Sequence, residues 1–418
     1  THNLTRPSQN QRLKNMFERA LRSTKSKAFA LTLIKALVPA LALLSINLLL
    51  YGSAFAESHE SIAIHTAQPS IEYTSGPQPN RTAAALAAND KCKTATTEIH
   101  PQGYCELVRM DNVPITQASE LKANTRRHPL FLWRFTSNTS TLYLAGSLHL
   151  LKQGLYPLPT QYEQAFKLSN KLVLEVNTDQ ISPSEIYAKT QAAARLTKHR
   201  YLRESLSALD YSRLARTAAL YGVPLQSLQP YKPAMVYTQL SLMGFIALGY
   251  DPELGVEEHF SKNKAPEDIL QLESLDLQLG FLFAQSMETQ IAVLMDTVKQ
   301  FDEIETVASN LVQAWAKGDD TTMAKLVAEQ NGSSKLLRDF SEQLLDQRNV
   351  GMSKKIADYL NTNENYFVLV GAAHLAGPNS IIKMLEKNGF HGERIYSDLP
   401  NLRDAPITQS TTEVSHTP

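Results

Sequence analysis

Two segments of this chain repeat one arrangement: Leu142-Tyr143-Leu144-Ala145-Gly146-Ser147-Leu148-His149 and Phe367-Val368-Leu369-Val370-Gly371-Ala372-Ala373-His374. In each, an apolar run of the kind that forms a buried strand leads into glycine, two small or apolar residues and a histidine. A strand end fixes position, and glycine lets backbone or ligand approach closely. The imidazole is thereby delivered just past the carboxyl edge, where α/β sheets bind their ligands. A single Gly-x-x-His is a common tetrapeptide, and its histidine is more often structural than functional. Two copies in matching contexts point to a shared site. Glu175, inside the run Leu172-Val173-Leu174-Glu175-Val176, is the third residue of interest. A carboxylate buried there must face a cation, a donor or water; the alternative is the wet face of an ordinary strand. Two histidines, a glutamate and a water make the ligand set of an open catalytic zinc site, and they suit non-haem iron or manganese as well.

Further carboxylates stand at the ends of expected elements: Glu257 and Glu258, beside His259, and Glu273. Each is a candidate for an added ligand, for a partner that orients a ligating histidine, or for a general base. His259 itself reads as a helix-surface residue. Arg348, in Gln347-Arg348-Asn349, is a candidate for holding a developing oxyanion, with a helix-surface ion pair as the alternative. Ser147 beside His149 raises a serine nucleophile, but no third orienting group stands out. The sequence has no P-loop, no dinucleotide glycine fingerprint, no Gly-x-Ser-x-Gly and no His-Glu-x-x-His.

The elements that must position these residues follow from hydrophobic period. Phe131 to Phe135 and Thr141 to Ala145 read as strands of a hairpin around Ser137-Asn138-Thr139-Ser140. Pro159 can open a helix through Phe166. Strands are expected at 172–176, 269–273 and 366–370. Helical spacing covers 182–248, with breaks at Gly222-Val223-Pro224 and Lys232-Pro233, then 276–300, 306–326, 336–360 and a last stretch closing at Asn388-Gly389. The expected domain, 128–397, is α/β (α+β), a central sheet with strands from both ends of the domain and a large helical middle region.

Composition narrows the class. Lys plus Arg and Asp plus Glu are both 41, so the chain is neutral, which argues against a nucleic-acid binder relying on phosphate contacts. With 43% hydrophobic and 20% charged residues it is no charge-driven disordered chain. Two cysteines exclude an Fe–S protein, a thiolate zinc ribbon and a disulfide-dense miniprotein. Basic residues from Arg6 to Lys35, an apolar run from Ala36 to Tyr51 and Ala54-Phe55-Ala56 read as a signal peptide or signal anchor over 1–56. The rest is then expected to be periplasmic or secreted, touching membrane only through the N-terminal segment if that is retained. Residues 57–127, poor in large apolar side chains, read as a poorly ordered leader carrying Cys92 and Cys105. In an oxidising compartment these are most simply a local disulfide. The polar tail 398–418 reads as frayed.

Taken together, these segments resemble the TraB/PrgY/GumN family, whose animal relatives are the Tiki metalloproteases. The resemblance rests on Phe131-Leu132-Trp133-Arg134, Gly146-Ser147-Leu148-His149, Tyr156-Pro157-Leu158-Pro159 and Leu174-Glu175-Val176. It continues through Lys232-Pro233, the stretch from Gly249 to Glu257, Leu272-Glu273, Arg348-Asn349 with Met352, and Gly371-Ala372-Ala373-His374. It implies a hydrolase that uses a divalent metal ion (zinc, manganese or cobalt) held by His149, His374 and Glu175, acting on a peptide or protein substrate. Glu175, Arg348, Glu273 and Glu257 are the implied catalytic set. Two positions depart from the family: Glu257, where relatives commonly carry Asp, and Asn177, where many carry Asp. Bacterial members are linked to pheromone shutdown, so the alternative is a non-catalytic protein that sequesters a peptide or pheromone.

Overall fold

Strands Pro129–Thr136 (β5) and Thr141–Ser147 (β6) form the expected antiparallel hairpin, with Leu132 opposite Ala145 and Thr136 opposite Thr141. The computed structural model describes residues 58–96, 99–100, 102–122, 127–197, 200–330 and 334–398. The signal-like segment 1–56 and the tail after Asp398 lie outside the described residues. β6 continues into a parallel set: Tyr366–Gly371 (β9) beside it, then Lys171–Leu174 (β7), then Ile269–Gln271 (β8). Gly392–Tyr396 (β10) closes the other edge against β5, giving the order β10-β5-β6-β9-β7-β8. Every residue of β9 is buried, which requires the unbroken apolar run Tyr-Phe-Val-Leu-Val, because a central parallel strand is covered on both faces. Phe166, on the helix Thr160–Lys167, packs there with Phe260 and Phe367 at ring-centroid distances of 4.9 and 5.8 Å.

The middle region is helical, and serine marks where its helices begin. At Ser182, Ser207, Ser274, Ser286, Ser334 and Ser380 the hydroxyl oxygen accepts the N–H three residues on, satisfying one donor the helix cannot. Stretches expected as single helices are divided for local reasons. Ser286 starts a new helix, so 276–300 becomes Leu275–Phe283 and Met287–Gln300. Gly318, at φ +63°, separates Ile304–Ala316 from Asp320–Gln330; a Cβ there would lie 1.9 Å from the Pro129 carbonyl oxygen, so only glycine fits. Between Lys335–Glu342 and Arg348–Leu360 the chain makes a wide π turn, Gln343–Gln347. Among the described residues no helix is long and apolar enough to cross a membrane.

The expectation of a poorly ordered leader over 57–127 is corrected. Ser61–His65 (β1), Gln68–Thr74 (β2), Cys105–Met110 (β3) and Val113–Pro114 (β4) form an antiparallel sheet in the order β2-β1-β3-β4. The helix Arg81–Thr96 packs on it through Ala84, Ala85, Ala88 and Cys92, all fully buried. Small side chains let this helix lie close to the sheet, so the poverty in large apolar residues that suggested disorder is here a close-packing device. The disulfide Cys92–Cys105 is present and ties that helix to β3. Closing so short a loop contributes about 3 kcal/mol in the chain-entropy account. The unit is anchored to the larger sheet's domain by Thr82 Oγ1 donating to the Phe301 carbonyl (2.5 Å) and Asn89 Nδ2 to that of Ala247 (3.2 Å).

Candidate functional site

Four parallel strands end at one edge of the large sheet, and each delivers a candidate residue within three positions of its end. β7 is followed by Glu175, β8 by Glu273, β6 by His149 and β9 by His374. Pairing between β7 and β8 persists past their ends: Leu272 N–H donates to Leu174 O and Glu273 N–H to Glu175 O, at 2.9 and 2.8 Å. The two carboxylates are thereby set side by side. Asn177 is a structural cap, its Nδ2 donating to Ile269 O (2.9 Å) and its Oδ1 accepting from Asp179 N–H. Gly371 forms the floor. A Cβ placed on it would sit 3.4 Å from Glu175 Oε1, 3.5 Å from His374 Cδ2 and 3.9 Å from His149 Nε2. The two histidines and the strand glutamate of the sequence therefore converge on one point.

Both imidazoles are oriented alike. His149 Nδ1 lies 2.8 Å from Glu257 Oε1, and His374 Nδ1 lies 2.6 Å from Asn349 Oδ1. An acceptor on Nδ1 places the proton there and leaves the Nε2 lone pair facing the site. Asn349 is itself held by its Nδ2 donating to Asn379 O at 2.8 Å. Ser147 Oγ donates to Glu257 Oε1, so this hydroxyl steadies the carboxylate and is not poised on a histidine as a nucleophile would be. His149 Nε2 and Glu257 Oε2 are buried with no hydrogen-bond partner.

Arg348 is paired with two carboxylates of the site. It is buried to within 2% and its guanidinium is engaged on all sides. Nη2 donates to Glu175 Oε2 and Glu273 Oε2, both at 2.6 Å; Nε donates to both oxygens of Glu273 at 3.0 Å; and Nη1 reaches Leu344 O at 3.4 Å. In this arrangement it compensates two buried carboxylates and positions Glu175. Gln278, which the sequence reading passed over, adds an amide donor to Glu175 Oε2 and Glu273 Oε2 at 3.3 and 3.1 Å. A glutamine in the first turns of a serine-capped helix was its only signal. Glu175 Oε1 also accepts the Gly371 N–H at 2.7 Å. His259 pairs with Glu163 at 2.6 Å, as a surface residue would.

Electrostatics follow from burial and neighbours. Burial alone would raise the Glu175 carboxyl, but Arg348, then His374 and His149, hold it down to about 2. Burial drives His374 down to about 3, against the pull of Glu175 and with the help of Arg348 and His149, so this imidazole is neutral. Burial also acts to lower His149, yet Glu257 outweighs it and the net shift is upward. The sign for stability is then fixed. Both His374 and Glu175 are depressed in the fold, so the stability they contribute is present above their ordinary values of 6.5 and 4.5 and is lost as pH falls toward 3 and 2. His149 has the opposite sign, its contribution lost as pH rises. Urea midpoints measured across pH should therefore fall as pH drops below about 6.5 and fall more steeply below about 4.5. His374→Gln should flatten the upper part of that decline. A midpoint that rises between those values would contradict the assignment.

Whether these residues suit a metal ion can be judged from their donors. Among the described residues no three His, Cys, Asp or Glu side chains stand together in a geometry that holds an ion as they are. Donor chemistry nonetheless fits: two Nε2 atoms with lone pairs inward, one of them orphaned, and Glu175 Oε1, whose partner oxygen stays with Arg348. Glu175, Glu257 and Glu273 against one guanidinium leave a formal surplus of two negative charges when both imidazoles are neutral. A proton on His149 Nε2 and a metal ion there exclude each other.

A profile of the TraB/PrgY/gumN family matches residues 131–394, a span that contains every residue of this site. The chain is similar to the uncharacterised protein YbaP of Escherichia coli, 24% identical over 251 residues that cover 58% of this chain and 87% of that protein. The YbaP of Shigella flexneri matches to the same extent. No solved structure matches this chain significantly.

Proposed function

The chain belongs to the TraB/PrgY/GumN family, and from that premise we propose that it is an extracytoplasmic metal-dependent hydrolase acting on peptides. The observation that carries this is the matched pair of imidazoles, each held at Nδ1 by an acceptor, with Nε2 of His149 turned toward Gly371 and Nε2 of His374 toward Glu175 Oε1. His149, His374 and Glu175 would hold the divalent ion, zinc, manganese or cobalt. Such an ion supplies Lewis-acid polarisation of a carbonyl and a water acidic enough to act as nucleophile near neutral pH.

The chain's own groups divide the remaining work. Arg348, fixed by Glu273, holds Glu175 Oε2 so that Oε1 stays aimed at the floor of the site. Glu257 Oε1 accepts from His149 and Ser147, which leaves Oε2 as the one free oxygen of that carboxylate and the atom placed to take and return a proton. Glycine at 371 keeps the space in front of these atoms clear. The signal-like start and the Cys92–Cys105 bond support an oxidising compartment.

A peptide-library cleavage assay on the full chain tests the reading. Glu257→Gln keeps the shape and hydrogen-bonding reach but gives up the base, so turnover should fall by roughly 10²–10⁴ while bound metal is retained. Unchanged turnover in Glu257→Gln would remove it from the mechanism. A chain that binds peptides as tightly in His149→Ala as in the parent, and cuts none in either, would be a sequestering protein instead.

A further inference from the structure

The loop that carries His149 and the loop that leads into the helix Val256–Ser261, which carries Glu257, are cross-bonded into one piece. Leu151 and Asp251 exchange backbone hydrogen bonds of 3.3 and 2.8 Å, and Val256 N–H donates to Leu148 O at 3.1 Å. Gly255 approaches so closely that a Cβ there would lie 2.5 Å from the His149 carbonyl oxygen. Where this piece sits decides where His149 and Glu257 sit.

Its outer side rests on residues that lie before the family match begins. The Tyr104 hydroxyl and Ala118 Cβ occupy the space a side chain on Gly154 would take, 2.2 and 2.8 Å from its Cβ position. Gly249, at φ +89°, directs its Cβ position to 4.0 Å from the carbonyl oxygen of Cys105. Leu107 and Leu121 face Leu155, Leu248 and Tyr250 across a small shared cavity. Tyr104 thus abuts the first loop and the Cys105 carbonyl lies near the second, and Cys105 is the residue joined to Cys92. Cys92 in turn lies on the helix whose Thr82 and Asn89 are hydrogen-bonded into the main domain. The disulfide links an anchored helix to the strand on which the loops lean. Cys92 is fully buried and Cys105 half-buried, so of the two residues Cys105 lies nearer to solvent.

We propose that the 58–122 unit is a thiol-sensitive brace of the site: with Cys92–Cys105 closed it holds the His149 and Glu257 loops in place, and opening that bond with a dithiol releases them. One thiolate of the dithiol attacks the Cys105 sulfur, and the Cys92 sulfur leaves and takes a proton. The second thiol then displaces Cys105 as a thiol, and the reductant departs as a cyclic disulfide. Two electrons and two protons pass to the protein. The effect on turnover rests on the hydrolase reading, whereas the release of the loops does not.

Hydrogen exchange of the full chain, followed by mass spectrometry with and without dithiothreitol, separates the two. Once free-thiol titration shows the bond open, amides of 148–155 and 249–257 should exchange about tenfold faster or more, while those of β9 keep their protection. Tyr104→Ala, with the disulfide intact, should loosen the 148–155 loop that Tyr104 abuts without any reductant. Unchanged loop exchange in the reduced chain would overturn the brace, as would equal acceleration everywhere, and so would a Tyr104→Ala protein as protected as the parent. Peptide turnover should fall in step with loop release. Released loops in a chain that never cleaves peptides would leave the brace standing and end the hydrolase reading; active protein whose loops ignore reduction would do the reverse.

Discussion

Arg348→Met is expected to cost the protein about 3–5 kcal/mol of stability, a large part of the roughly 5–15 kcal/mol a domain ordinarily has. Among the described residues the guanidinium is the only Lys or Arg group paired with Glu175 and Glu273, and both carboxylates are less than a tenth exposed. Removing it leaves two buried like charges side by side with only the Gln278 amide between them. The prediction has a built-in control. Arg348→Met combined with Glu175→Gln and Glu273→Gln should recover much of the loss, because neutral amides no longer need the cation. Chemical denaturation of the variants measures both. An arginine acting only on an oxyanion would leave stability alone and lower kcat by roughly 10²–10³, so a stable Arg348→Met protein with impaired turnover would restore that role.

The second large effect is on turnover. His149→Ala and His374→Ala should each reduce peptide cleavage by well over about 100-fold, the upper end of what losing a mere orienting partner costs. Asn349→Ala supplies that comparison, since Asn349 touches His374 only through Nδ1; its loss should fall within roughly 10–100-fold. The order matters more than either number. Variants of the two histidines that stay within tenfold of the parent would show that their convergence at Gly371 is structural.

How much of this was legible in the sequence depends on the range of the interaction. The two Gly-x-x-His segments and Glu175 could be read locally, because a polar residue at the end of an apolar strand is unusual within a few positions. Their meeting was inferable from topology, since four parallel strands must end at one edge of a sheet. The work of Arg348 was not. It depends on Glu175 and Glu273 lying 173 and 75 residues away in sequence, and on a π turn that no short-range pattern announces. Asn349 and Gln278 are ordinary helix residues until the partners they face are known. The unit at 58–122 was misread for the opposite reason: alanine in place of large apolar residues imitates the composition of disorder, while here it lets a helix lie close on a sheet.

The most direct test of the central claim is to strip the full chain of metal with a chelator and titrate cobalt(II) back. Its visible spectrum and peptide turnover are followed together. The proposed site predicts that stripping abolishes cleavage and that activity returns with a saturable, stoichiometric cobalt signal. That signal should be absent in His149→Ala and His374→Ala and weakened in Glu175→Gln. Cleavage that survives exhaustive chelation, or cobalt bound equally well by His149→Ala, would contradict it.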